Sequence, residues 1–401
     1  MTAADSRSAG RPPSAQRVLG LCMLAVFATT MFFRAVDPVV PQIADHFAID
    51  SGTVALLATA FSLPYAVMQP VLGGLADAFG KTRLMTWSLL ILVISAVIGA
   101  AAPSFSVLFA SRMISGIVAG GVFPISVAIA ADLVAVEHRQ VAVGRMLGAA
   151  MVGNLLGSPA AGLAADLIGW RGVFVGMGVL GAIAMVASAI GFRGVSAAAA
   201  TRIDIRAVPA TYIAIFRNPL AKIFFGAVLT EAICLFGLFP YMASLLAAGG
   251  ETRAAIAGVV IAGFGAGGVI YASSVSLLLA RLGERRLMIG GGTIMGLALM
   301  AVALRLPWPL QLVNFIVLGF GFYMLHGVIQ IYASELAPTA RGSAMAMHSA
   351  SFFLGNAFGP VVYGVALASV GLTATVVTAG AVLIGVGLVC ASRLRRDRTD
   401  V

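Results

Sequence analysis

The chain has 401 residues, 60% of them hydrophobic and 10% charged, where a typical soluble domain carries about 25% charged residues. Its mean hydropathy is +1.04; so few polar groups could not cover a soluble fold, which excludes a soluble enzyme, a nucleic-acid-binding domain and a disordered scaffold. The formal charge of +10 does not argue for nucleic acid, because the cations sit between apolar runs, a pattern of membrane topology.

A spanning helix needs roughly 20 mostly apolar residues. Twelve are predicted, at 18–44, 52–76, 84–102, 104–132, 141–165, 172–193, 220–247, 254–280, 287–305, 309–334, 342–368 and 372–391. The runs are continuous and rich in Leu, Ala and Gly, unlike the short alternating segments of a β-barrel. The first is too long for the apolar part of a cleavable signal and no small-residue cleavage site follows it, so it reads as the first span. The 47 glycines fit helices that approach closely in lipid. Cys22, Cys234 and Cys390 each lie inside an apolar run, with no disulfide or zinc spacing.

Cation placement sets the orientation. With the N-terminus in the cytoplasm, twenty Lys and Arg residues fall in the inner segments, among them Lys81, Arg83, Arg139 and Arg341, while Arg171, Arg253 and Arg305 fall outside. This predicts a multi-pass protein of a bacterial inner membrane with both termini cytoplasmic. The expected organisation is a tail at 1–17, a six-helix bundle at 18–193, a cytoplasmic linker at 194–219, a second bundle at 220–391 and a tail at 392–401. The halves repeat at an offset of 202: Pro38 pairs with Pro240, Arg139 with Arg341, Gly169 with Gly371, and Gly153, Asn154 and Gly157 with Gly355, Asn356 and Gly359. Each half begins and ends inside, so the repeat is parallel.

The loop between the second and third runs reads Gly73-Gly-Leu-Ala-Asp77-Ala-Phe-Gly80-Lys81-Thr-Arg83. Here the chain resembles the major facilitator superfamily, matching its signature loop at Gly73, Leu75, Asp77, Gly80 and Lys81 and departing at Ala78 and Thr82, where cations are usual. Arg112-Met-Ile-Ser-Gly116, the stretch from Asp132 to Arg139, and Gly169-Trp170-Arg171 are similar to further family elements. Gly153 to Gly162 resembles the glycine-proline motif of proton-coupled exporters, with Ser158 separating Gly157 from Pro159. The resemblance covers nearly the whole chain. It implies an all-α membrane protein, two pseudo-symmetric six-helix bundles rocking about a central cavity, and a cytoplasmic latch of Gly73, Asp77, Gly80, Lys81, Arg83, Asp132 and Arg139.

Ionisable groups at membrane depth are costly and usually face a cavity or a partner. Arg34, Asp37, Arg112, Glu231 and His326 are such groups, and the resemblance puts their helices around the cavity. Asp37 is three residues from Arg34 and shares its face, so Arg34, Asp37 and Arg112 are read as one polar cluster on the substrate path. Glu231, about 18 Å from the inner end of its helix, is read as the main proton carrier, with Asp37 second. His326, Tyr65, Gln69, Tyr241, Tyr323, Asn154 and Asn356 are further candidate path residues, and the four histidines, His46, His138, His326 and His348, are read as scattered along the chain. The function expected is proton-coupled efflux of a small organic molecule by a monomer in the lipid bilayer, with proton-coupled uptake of an organic anion as the alternative. No cofactor, metal or nucleic acid is expected. No nucleotide-binding or catalytic motif supports an ATP-driven pump or an enzyme.

Overall fold

The computed structural model describes residues 15–134, 136–193, 213–337 and 340–394; the side chains of 70, 73, 74, 77, 78, 136 and 137 lie outside the description. Most of each expected tail and most of the linker therefore fall outside the described residues. Ten helices are long and apolar enough to cross a membrane, and no strand occurs among the described residues. Two of the ten are each interrupted by one glycine with non-helical backbone, Gly283 and Gly371. Twelve segments result, close to the twelve predicted runs.

They are α1 (Ala15–Phe47), α2 (Ser51–Phe79), α3 (Lys81–Ala100), α4 (Phe105–Leu133), α5 (Val136–Ile168), α6 (Trp170–Gly191), α7 (Pro219–Ala248), α8 (254–282), α9 (284–301), α10 (Trp308–Glu335), α11 (341–370) and α12 (372–392). Four turns consist of one glycine with positive φ: Gly80 (89°), Gly169 (76°), Gly283 (68°) and Gly371 (76°), a region that side-chain-bearing residues rarely enter. They join α2 to α3, α5 to α6, α8 to α9 and α11 to α12. The predicted repeat is visible in this placement.

It recurs inside the helices. Pro38 and Pro240 each open a one-turn 3-10 segment, Asp37–Val39 and Phe239–Tyr241, that breaks α1 and α7 at equivalent points, since proline removes a backbone donor. A Cβ at Gly153 would fall 2.7 Å from Phe27 O of α1, and one at Gly355 would fall 2.6 Å from Leu229 O of α7. Phe27 and Leu229 are themselves 202 apart. The glycines predicted from the repeat are thus the places where α5 lies on α1 and α11 lies on α7.

Two large apolar cores form, one per half. Their contact helices are α2 against α11 and α5 against α8. Twelve crossings bring residues 15 and 392 to one face, the terminal face; the opposite face is the distal one. Ala254, near the distal end of α8, packs with the core of the first half, and Ala55, near the distal end of α2, packs with that of the second.

Candidate functional site

Charged side chains inside the helices meet in two places. In the first, α1 breaks after Arg34, and its turn into the 3-10 segment folds Asp37 back onto Arg34. Arg34 Nη1 lies 3.4 Å from Asp37 Oδ2, as the three-residue spacing predicts. Nη2 donates to Asn356 Oδ1 of α11 at 2.8 Å, crossing between the halves. The guanidinium also lies 4.7 Å from the ring centroids of Phe33, Phe236 and Phe239, where cation–π attraction is strongest because water is excluded. Ser158 Oγ of α5 donates to Arg34 O at 2.9 Å. Four helices therefore hold one arginine.

Arg112 lies within electrostatic reach of Asp37, as the cluster requires, but hydrogen-bonds neither it nor Arg34. It is 1% exposed inside the first half, where Nη1 donates to Phe32 O at 3.2 Å and the guanidinium covers the Phe61 ring at 4.4 Å. Its Nε and Nη2 have no hydrogen-bond partner. It ties α4 to α1 and α2 rather than facing the other half.

The second place lies within the second half. Glu231 on α7 is 0% exposed, and its Oε2 is 2.8 Å from His326 Nδ1 on α10. Its Oε1 has no partner. The His326 ring stacks on Phe322 at 4.6 Å and lies 4.9 Å from the ring of His348 on α11; His348 Nε2 is also unpartnered. The reading of the histidines as scattered is corrected here: two of the four come together, His326 on Glu231 and His348 on His326. A third, His46, meets Arg171 Nη1 at 3.0 Å near the distal face. Helical depth alone hides such convergence, because α7, α10 and α11 present apolar residues on every face.

The other candidate residues divide. Asn356 bonds Arg34 as described. Tyr65 lies between the halves, its ring 4.5 Å from Phe353 and stacked on Phe61 at 5.8 Å, and Gln69 follows one turn later, half-buried. Tyr323 packs on Phe264 and Phe322. Tyr241 is buried, and its hydroxyl donates to Pro360 O of α11 at 2.8 Å. Asn154 is exposed and donates to Ala150 O of its own helix, so the two asparagines of the repeat part company.

The sequence model of the Major Facilitator Superfamily matches residues 22–276 and 233–400. The chain belongs to that superfamily. It is 27% identical over 387 residues to YfhI, an MFS-type transporter of Bacillus subtilis, covering 94% of each chain. It is 26% identical to Multidrug resistance protein 2 of the same organism, covering 87% of this chain and 89% of that one. It is 25% identical to the quinolone resistance protein NorA of Staphylococcus aureus, covering 93% and 96%. The fold is similar to that of the nucleoside transporter NupG, with a TM-score of 0.73 at 15% identity over 94% of this chain and 98% of that one.

The superfamily's signature loop lies at the terminal face. Lys81 Nζ at the start of α3 meets Asp132 Oδ2 at the end of α4, 2.7 Å away. Arg139 Nε donates to Val134 O at 3.1 Å. Arg83 is exposed, and Gly80 makes the turn. Gly73 falls within α2, and the side chain of Asp77 lies outside the description. In the second half, the stretch from Arg281 to Arg286 keeps the turn at Gly283, and Glu284 Oε2 accepts from Tyr332 of α10 at 2.5 Å.

Proposed function

We propose that this superfamily transporter is a proton-coupled exporter of a small organic molecule, acting as a monomer by alternating access, with Glu231 as proton carrier and His326 as its partner. One observation carries the reading: a fully buried carboxylate, one oxygen 2.8 Å from an imidazole nitrogen and the other oxygen unpartnered. A buried charge is tolerated only when it is paired or neutralised, so a change in water access at this pair must change its protonation. Proton uptake and release thereby become linked to which face is open. His348 supports the pair as a second imidazole through which a proton can pass toward α11. The multidrug and quinolone-resistance relatives favour export. The cation distribution favours both termini and the linker lying in the cytoplasm of a bacterial inner membrane, and the two bundles are read as the units that rock.

The test is Glu231→Gln in proteoliposomes. Proton-driven transport should be abolished while substrate binding, read by thermal shift, is kept. Normal proton-driven transport by this variant would refute the assignment and move suspicion to Asp37. The same vesicles separate export from uptake, because an inward proton gradient expels an antiporter's substrate and accumulates a symporter's.

A further inference from the structure

An interior helix leaves its first N–H groups without partners, and an Asp, Asn, Ser or Thr just before it usually supplies the acceptor. Asp50 does this for α2, taking the Thr53 N–H on Oδ1 at 2.8 Å. The corresponding position before α8 is Arg253, which offers no capping side chain. Its guanidinium is turned onto Glu251, 2.8 Å from Oε1 and 2.6 Å from Oε2. The acceptor for α8 comes from the other half of the molecule. Asp166, at the distal end of α5, takes the Ala254 N–H on Oδ1 at 2.9 Å and the Ala255 N–H on Oδ2 at 2.8 Å.

The surrounding contact is built for close approach. A Cβ at Gly162, one turn before Asp166, would strike the Ala254 carbonyl and lie 2.8 Å from Ala255 Cα. One turn further into each helix the pattern reverses: a Cβ at Gly258 would meet the Ser158 carbonyl and fall 2.9 Å from Pro159 Cα. Two helices of opposite halves thus touch backbone to backbone, and the Asp166 carboxylate closes the seam at its outer end.

We propose that Asp166 is a distal gate residue: a helix cap lent across the seam between the halves, present when the distal face is closed and lost when it opens. This rests on the two-half rocking of the proposed function but not on proton coupling. Opening the distal face must part Asp166 from α8 and so deprive two N–H groups of their acceptor, and the Arg253 side chain at α8's own cap position supplies none. A cap is worth about a five-fold change in equilibrium, which Asp166 adds to the closed side.

The experiment uses the full chain, purified without substrate or proton gradient, carrying Ala55→Cys as a reporter. Ala55 is 0% exposed and packs with the second half's core, so a water-soluble maleimide reaches that position only when the distal ends part. Cys22, equally buried inside the first half, reports general loosening, and the two are read separately by peptide mass spectrometry. Asp166→Ala should raise the reporter's labelling rate about five-fold with Cys22 still protected. Asp166→Asn, which keeps one carbonyl acceptor, should raise it less. An unchanged reporter, or labelling of Cys22 that rises in step with it, overturns the proposal and leaves Asp166 as a structural cap only. If Asp166→Ala does not survive purification, Asp166→Asn decides alone: a rise confined to the reporter supports the gate and no rise refutes it. Because the readout needs no gradient, it can fail while the Glu231 test succeeds, and the reverse.

Discussion

Asn356→Ala removes the only acceptor from α11 that the structure gives to Arg34, the 2.8 Å bond from Nη2. Arg34 keeps Asp37 at 3.4 Å and three phenyl rings at 4.7 Å, but rings cannot accept a forked hydrogen bond as an amide oxygen does. A hydrogen bond to a charged group is worth about 1.5–3 kcal/mol, and every 1.4 kcal/mol or so is ten-fold in an equilibrium. The bond runs between the halves, so its loss weakens their association by about that amount. The other bond of Asn356, to Phe352 O at 3.0 Å, lies along its own helix and is lost equally whether or not Arg34 is present. The assay is therefore a double-mutant cycle with Arg34→Met, read as thermal denaturation midpoints in detergent. Asn356→Ala should lower the midpoint by several degrees in the parent chain and by less than half as much beside Arg34→Met. Equal shifts in both backgrounds would mean that Asn356 acts through packing and that the bridge contributes nothing.

Gly116→Ala should cost about 1–3 kcal/mol of stability, because the new methyl would run into the Phe61 carbonyl and lie 3.1 Å from Phe61 Cα, and backbone cannot turn aside; Gly144→Ala, with nothing within 4 Å, should be neutral or raise the melting midpoint slightly. Asp50→Ala should cost about 1 kcal/mol at neutral pH through loss of the α2 cap. Hydrogen bonds from the Thr53 side chain and backbone hold the Asp50 carboxyl below its ordinary range, so the unfolded chain takes up that proton first as pH falls. The cap's contribution is whole above the ordinary carboxylate range and drains away below it, so the difference between variant and parent should narrow as the pH falls below that range; a gap of constant size there would show that the charge is not what caps the helix.

The helices were legible because a run of apolar residues states its own length, and the repeat was legible because proline and glycine act on backbone. Pro38 and Pro240 became matching breaks, and Gly153 and Gly355 became matching contacts. What stayed hidden is rotation about each helix axis. A segment apolar on every side gives no register, so sequence could place Arg112 at the depth of Arg34 without saying that it points into the first half. Glu231 was singled out by depth, whereas its pairing with His326 and the neighbouring His348 requires three helices to be turned toward one another. Asp166 was hidden for another reason: a helix cap is sought in the residues just before the helix, and this one arrives from 88 residues away.

The one-residue turns at Gly80, Gly169, Gly283 and Gly371 leave no slack between the helices they join. The helices that touch across the molecule, α2, α5, α8 and α11, are each hitched in this way to α3, α6, α9 and α12. Along α6, Val175, Val179, Ile183, Val186 and Ile190 are exposed, as are Val377, Val382, Leu388 and Val389 on α12, and in a membrane those faces meet acyl chains. A tilt imposed on such a helix by the thickness of the surrounding bilayer has no loop in which to dissipate and passes to its hitched partner at the seam. The lipid, by this linkage, bears mechanically on the contacts between the two halves.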